Sequence, residues 1–382
     1  MNRIYFDNNA TTPMAPEVRA AMLPFLTDNF GNPSSGHREG ELARAGVDNA
    51  RAQVAGLLNV APPRITFTSG GSEANNLAIF SAAAADPARR HLIAARVEHA
   101  SVLAPLRFLA EHGYELTLLE VEGDGGLDLD RLRAAIRADT ALVSLMGANN
   151  ETGVLWPLAE IGALCREHGV LCHSDVVQLL GKESIDAAAL PVDYLSMAAH
   201  KLHGPKGVGA LYAARRAPLT PLIRGAGQET GKRAGTENTH GIAGFGQACE
   251  LAATQLTENR GRIAGLRDRL EAGILAATPE ALIIGKTQPR LSNTVNVCFK
   301  HCSSAGLVQE LDVRGIAVSG HSACHSGDLD PSHVLSAMGV PETHLHGSLR
   351  VSLSRYSTEA EVERFLAVLP EIVGKSSRNF AA

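Results

Sequence analysis

The sequence predicts an α/β fold in which a large domain, built on a mostly parallel sheet covered by helices, joins a smaller α+β domain. Three observations predict it. From about Arg64 onward, short β-rich runs alternate with helical patterns; after about residue 255 that alternation thins; and 382 residues exceed one core of ordinary size. The segment RITFTSGG (64–71) reads as a strand running into a glycine turn, followed by an Ala- and Leu-rich helix from about Ser72. HLIAARV (91–97) is the next strand and 101–112 the next helix. ELTLLEV (115–121), TALVSLM (140–146), VLCHSD (170–175) and VDYLSM (192–197) continue the series, with helices near 128–137 and 157–168, and VGALYA (208–213) closes it. Strands separated by crossover helices imply parallel pairing with both faces buried. A charged amphipathic helix is expected over 255–277. Beyond it come SNTVNVCF (292–299), GIAVS (315–319) and SLRVSL (348–353), with helices near 304–312 and 358–369. The division is therefore 14–255 for the large domain, and 1–13 with 256–382 for the small one.

Composition narrows the function. Hydrophobic residues make up 45% and charged residues 20%, as in a soluble globular protein. A formal net charge of −5 gives no electrostatic reason to expect nucleic acid or an anionic membrane as partner. MNRIYFDNNATTP lacks the apolar core of a signal peptide, and no run of about 18 apolar residues occurs. Six irregularly spaced cysteines do not form a disulfide framework, so a reducing cytoplasm is the expected compartment.

The chemistry gathers where strands end, which is where open α/β sheets bind ligands. Lys201 lies in AAHKLHGPKGVG (198–209), after a strand and beside His200. A reachable amine that can deprotonate forms a Schiff base with an aldehyde cofactor; the same segment alone equally suits a solvated lysine in a Gly/Pro loop. Gly71 and Ser72 open a helix whose N–H groups could face a phosphate, or they belong to an ordinary capping box. Asp175 ends VLCHSD, where a carboxylate could keep a pyridinium nitrogen protonated, or simply cap the next helix. Gln178, three residues on, could donate to a phenolic oxygen. His99 in EHA could lie on a ring and move protons, and Asn150 in NNETG completes the set.

Taken in order, these segments resemble the NifS-type cysteine desulfurases of the class V aminotransferase, fold type I group. The likeness runs through YFDNNATTP, FGNPSS (30–35), TSGGSEANN (68–76), EHASVL (98–103), ANNETG (148–153), HSDVVQ (173–178), HKLHGPKGVGALY (200–212), GKRAGTEN (231–238) and HSACHSGDLDPSHVL (321–335). The resemblance implies pyridoxal 5′-phosphate as cofactor, with Lys201 as the Schiff-base lysine, Asp175 as pyridinium partner and His99 as the stacking histidine. Gln178 is implied as donor to the phenolic oxygen, and Gly71, Ser72 and His200 as phosphate contacts. Thr236 is implied as a phosphate contact supplied by a second subunit, hence a homodimer. Asn150 and Arg350 are implied to hold the carboxylate of L-cysteine; a guanidinium fork suits a carboxylate. Two departures stand out: Ala198 replaces a Ser or Cys phosphate contact, and His321 replaces a glycine near the cysteine.

Cys324 lies in the polar, glycine-containing segment GHSACHSGDLDPS, whereas Cys165, Cys172, Cys249, Cys298 and Cys302 read as packed. It is the expected sulfur acceptor, flanked by His321 and His325, which would favour its thiolate. These residues with His333 do not match a familiar zinc spacing, so no dedicated metal site is expected; Cys324 as a transient iron–sulfur ligand rests on the resemblance. The expected activity is removal of sulfur from L-cysteine, giving L-alanine and a persulfide on Cys324. That sulfur would serve iron–sulfur cluster assembly for nitrogenase through a NifU-like scaffold protein. The rivals are a selenocysteine lyase or another fold type I enzyme and, more distantly, a non-catalytic iron–sulfur assembly scaffold.

Overall fold

Strands buried on both faces must be apolar along their whole length, and this dictates the central sheet of the computed structural model, which describes residues 3–320 and 331–380. A short N-terminal strand, β1 (Ile4–Tyr5), stands apart from it. The sheet comprises β2 (Ile65–Thr68), β3 (His91–Ala95), β4 (Glu115–Leu119), β5 (Thr140–Ser144), β6 (Leu171–Asp175), β7 (Tyr194–Ala198) and β8 (Gly209–Ala213). Their order is β2-β8-β7-β6-β5-β3-β4, with only β8 antiparallel to its neighbours. Successive side chains take opposite faces: on β3, Leu92 and Ala94 enter one core with helices Gly71–Ala85 and Ala100–Glu111. Ile93 and Ala95 enter the other, with helices Arg38–Leu57 and Leu158–Glu167. The consequence for function is directional. The carboxyl ends of β2, β3, β5, β6 and β7 all open on one edge.

The remaining strands form a second lobe. β9 (Leu282–Ile283) and β12 (Ser348–Ser352) flank β10 (Thr294–Cys298) in an antiparallel sheet, and β11 (Ile316–Ala317) pairs in parallel with β1. Ile4 and Phe6 of the N-terminal segment are buried in this lobe's core with Val295, Val351, Val362 and Phe365. Among the described residues, no helix is long and apolar enough to cross a membrane.

Four helices differ from the sequence expectation. The helix expected over 255–277 begins at Thr239 and runs 39 residues to Ala277. Glycines at 241, 244 and 246 hide its start. At Gly246 a Cβ would come within 2.5 Å of Ala50 Cα, so glycine there admits the neighbouring helix Arg38–Leu57. A division at 255 falls inside this helix, which buries Phe245 and Cys249 in the first core and Ile263 to Ile274 in the second. The last helix, Glu359–Phe380, continues past Pro370 because Leu369 and Ile372 remain anchored in the second core. Helices Pro16–Met22 and Arg38–Leu57 precede the first element read from sequence.

Gly209 begins β8 opposite Thr68 of β2 and Ala198 of β7. A Cβ there would collide with the Met197 carbonyl oxygen and come within 2.7 Å of Gly70 Cα. Gly209→Ala is therefore expected to destabilise the fold by about 1–3 kcal/mol. Urea unfolding reads this directly, and an unchanged midpoint would contradict the packing described.

Candidate active site

At the carboxyl edge of the sheet lies an open cleft of about 850 Å³. Gly71, Ser72, His99, Asn150, Asp175, Gln178, His200, Lys201 and Arg350 all line it. Of the described residues singled out from sequence for this site, Thr236 is not among its walls. Thr236 borders a separate cleft with Ser69, Glu229 and Arg233. Cys324 lies outside the described residues, as do His321 and His325.

Lys201 closes a 3₁₀ turn, Ala199–Lys201, at the end of β7. Its Nζ donates to the carbonyl oxygens of Asn9 (2.5 Å) and Ala10 (2.7 Å). The same tail reaches the turn again, where the Thr12 hydroxyl donates to the His200 carbonyl at 2.9 Å. Neither Asn9 nor Ala10 was marked from sequence, since each acts through its backbone.

Asp175 ends β6 with both carboxylate oxygens engaged. Oδ1 accepts from the Val177 N–H at 2.9 Å and Oδ2 from Asn75 Nδ2 at 2.8 Å. Asn75 also donates to Ser101 Oγ at 2.8 Å, and that hydroxyl lies 2.7 Å from His99 Nδ1. Because His99 Nδ1 accepts from the Ser101 N–H at 3.1 Å, the proton of the neutral ring belongs on Nε2. Glu98 beside it is fully buried: Oε1 accepts from the Met146 N–H at 2.9 Å, and Oε2 has no partner among the described residues. Burial, and then the charge of Asp175, hold this carboxyl well above the usual range. An Asn buried in an Ala-rich helix was the one sequence signal that could have marked Asn75.

The helix Gly71–Ala85 begins at Gly70 without a side-chain cap, leaving the first-turn N–H groups at Gly71 and Ser72 open to the cleft. Glu73 does not compete for them. It pairs with Arg233 at 2.9 Å and accepts from the Ser69 N–H at 2.8 Å. His200 is taken down to about 4 by burial and then by the charges of Lys201, Lys206 and Lys182, so it meets an anion as a neutral donor. Ala198 lines the same corner with a methyl group and supplies no hydrogen bond.

Arg350 lies on β12 and is 1% exposed. One Nη donates to Asp7 at 2.9 Å and the other to the backbone carbonyl of Asn150 at 3.1 Å. Its Nε is buried without an acceptor among the described residues. A guanidinium so held keeps donors for one carboxylate, which suits an amino-acid substrate. An uncapped helix start, a lysine amine, a strand-end carboxylate and an imidazole in one cleft also fit the donor set of a phosphorylated aldehyde with a basic ring nitrogen.

The chain on either side of 321–330 is anchored at this cleft. Ser319 Oγ donates to Asp7 at 2.9 Å, while Ser332 Oγ donates to Glu151 at 2.6 Å and His333 Nε2 lies 3.1 Å from the Glu98 carbonyl. Cys165, Cys172, Cys249, Cys298 and Cys302 are buried, and burial pushes the Cys298 thiol up to about 12. These five are poor nucleophiles.

The chain matches the aminotransferase class-V family over residues 4–365. Cysteine desulfurase 2 of Trichormus variabilis is 48% identical over 373 residues, covering 98% of this chain and 94% of that protein. The solved structure of a NifS-like protein superposes with a TM-score of 0.91 at 37% identity, covering 98% of this chain and all of that one. A structure of SspA in complex with cysteine superposes with a TM-score of 0.80 at 35% identity, covering 93% of this chain and all of that one.

Three buried histidines give the fold a pH dependence. Burial takes His173, set between Ser144 and Ser196, down to about 3. His200 and His203 each lie at about 4. An unfolded imidazole binds its proton near 6.5 and these three only at about 4 or below, so within that window the unfolded chain holds more protons. Stability therefore falls as pH drops from about 6.5 to 4, by on the order of a few kcal/mol in all. Urea midpoints across this range measure it, with His173→Gln giving a shallower slope; a midpoint indifferent to pH would contradict the assignment.

Proposed function

The chain belongs to the aminotransferase class-V family, as one of its cysteine desulfurases, and we propose that it holds pyridoxal 5′-phosphate through Lys201 and moves sulfur from L-cysteine onto Cys324. The observation that carries this reading is the convergence, in one cleft, of the Lys201 amine, the Asp175 carboxylate and the uncapped helix start at Gly71–Ser72. When bound, the cofactor supplies an aldehyde for the amine and an electron-withdrawing ring.

The chain's own groups do the rest. Gly71, Ser72 and His200 hold the phosphate, Asp175 keeps a proton on the ring nitrogen, and Gln178 donates an amide N–H to the phenolic oxygen. Arg350, with Asn150 beside it, orients the carboxylate of L-cysteine, as its Nε, without an acceptor among the described residues, supports. The Lys201 amine removes the α-proton of the substrate. The Cys324 thiolate then attacks the substrate sulfur: an S–S bond forms as the Cβ–S bond breaks, the electron pair stays with carbon, and a proton delivered to Cβ together with the α-proton returned from Lys201 completes L-alanine. His99, with its proton on Nε2, exchanges protons near the departing sulfur. Anchoring of the chain at Ser319 and Ser332 beside the cleft supports a reach from Cys324 to this point.

Thr236, away from its own cleft, is assigned to the phosphate of a second copy, which makes the working unit a homodimer. The persulfide is passed on for iron–sulfur cluster assembly, with Cys324 as a transient cluster ligand. ANNETG, HKLHGPKGVG and RAGTEN support delivery toward nitrogenase through a NifU-like scaffold in the cytoplasm.

Lys201→Ala is expected to lose the long-wavelength absorbance band on addition of pyridoxal phosphate. Cys324→Ala is expected to keep that band yet release no sulfide from L-cysteine with a reductant present; full activity in this variant would refute the role of the thiol. Arg350→Ala is expected to raise KM for L-cysteine by about tenfold to a hundredfold, and steady-state kinetics would show a flat KM if the carboxylate were held elsewhere.

A further inference from the structure

One half-buried cation has no part in the chemistry above. Lys182 lies four residues beyond Gln178, and its Nζ donates to Gln178 Oε1 at 2.8 Å and to Asn9 Oδ1 at 3.3 Å. Among the described residues no carboxylate pairs with it. It borders a second cavity behind Lys201, together with Asn8 and Arg355. Burial, and then the charges of Lys201 and Arg350, pull its ammonium down to about 7. A lysine in such surroundings lowers stability, and its contacts show what it supplies.

An amide side chain can present either its oxygen or its nitrogen with nearly the same shape. Gln178 is held in one of those two orientations. Its Nε2 donates to the Asn9 carbonyl at 2.9 Å, and its oxygen faces Lys182. Asn9 is fixed likewise: Nδ2 donates to Thr294 Oγ1 (2.8 Å) and to the Asn150 carbonyl (3.2 Å), and Oδ1 accepts from Lys182 and from Asn293 (3.0 Å). Both amide nitrogens are thus directed at oxygen acceptors, and at both contacts the lysine is the donor. An ammonium can only donate, so it selects the oxygen of each amide.

We propose that Lys182 is a positioning residue that sets the hydrogen-bond polarity of Gln178, so that Gln178 turns its second N–H, not its carbonyl, toward the cofactor in the cleft. With the side chain cut back to an apolar one, only the Asn9 carbonyl still selects the nitrogen, and the amide turns over more readily to place a carbonyl against the phenolic oxygen. The same loss slackens Asn9, whose carbonyl holds Lys201. The inference rests on the pyridoxal phosphate reading of the cleft.

The test compares Lys182→Met, Gln178→Ala and the double variant with wild type, all loaded with pyridoxal phosphate. It reads L-cysteine turnover, the absorbance spectrum and the melting temperature of the apo-protein. Lys182→Met is expected to lose about tenfold or more in kcat with little change in KM, and to shift the absorbance maximum in the same direction as Gln178→Ala. The double variant is expected to be no slower than Gln178→Ala alone, because one residue acts through the other. Apo Lys182→Met is expected to melt no lower than wild type, since a partly desolvated charge with no carboxylate partner among the described residues has been removed. Additive losses in the double variant, a wild-type spectrum in Lys182→Met, or a fall in its melting temperature would each overturn the assignment. A wild-type protein that takes up no pyridoxal phosphate overturns this inference together with the reading beneath it; uptake with additive losses overturns this inference alone.

Discussion

Two backbone carbonyls, those of Asn9 and Ala10, hold the amine on which the cleft is centred. Backbone oxygens cannot rotate out of place, so the position of Lys201 is only as good as the path of residues 7–12. That path is fixed from both lobes. The Asn9 N–H donates to Ser352 Oγ on β12, its side chain meets Thr294 on β10, and Thr12 is bonded to the Lys201 turn. Asp7, at the start of the same stretch, holds Arg350. One short strip of chain, turned at residues 8–10, thereby sets the distance between the amine and the guanidinium, although the two come from different cores.

Charge in the cleft is distributed with equal economy. Burial, with the charge of Asp175, holds the Glu98 carboxyl well above its usual range, and burial, with the charges of Lys201, Lys206 and Lys182, takes the His200 imidazole down to about 4. Asp175 differs from Glu98 in having two donors, from Asn75 and Val177, aimed at its oxygens. Two carboxyl groups in the same wall thus sit in different hydrogen-bond surroundings, one with a donor on each oxygen and one with a donor on a single oxygen among the described residues.

How much of this the sequence disclosed depends on which atoms act. The large sheet was legible because strands covered on both faces leave continuous apolar runs, and the positions of Lys201, Asp175 and His99 followed from polar residues at the ends of those runs. Asn9 and Ala10 left no mark because their carbonyls do the holding, and any residue has a carbonyl. Asn150 was marked for its side chain, yet the atom that meets Arg350 is its backbone oxygen. Lys182, in LLGKES, carries no mark in the sequence; only the fold brings it against Gln178 and Asn9. The long helix was shortened by sixteen residues in the reading because its glycines, which serve close approach to Ala50 and Met22, are poor helix formers in isolation.

The continuity of Thr239–Ala277 has a mechanical consequence. At 39 residues the helix is roughly 58 Å long, and it serves as a common spine to both cores. A scissor motion of one core against the other would have to bend this spine sharply and rupture hydrogen bonds around a full turn of it. Jaw-like closure is thereby made expensive, and a small amino acid gains entry through the mouth of a frame that is already set.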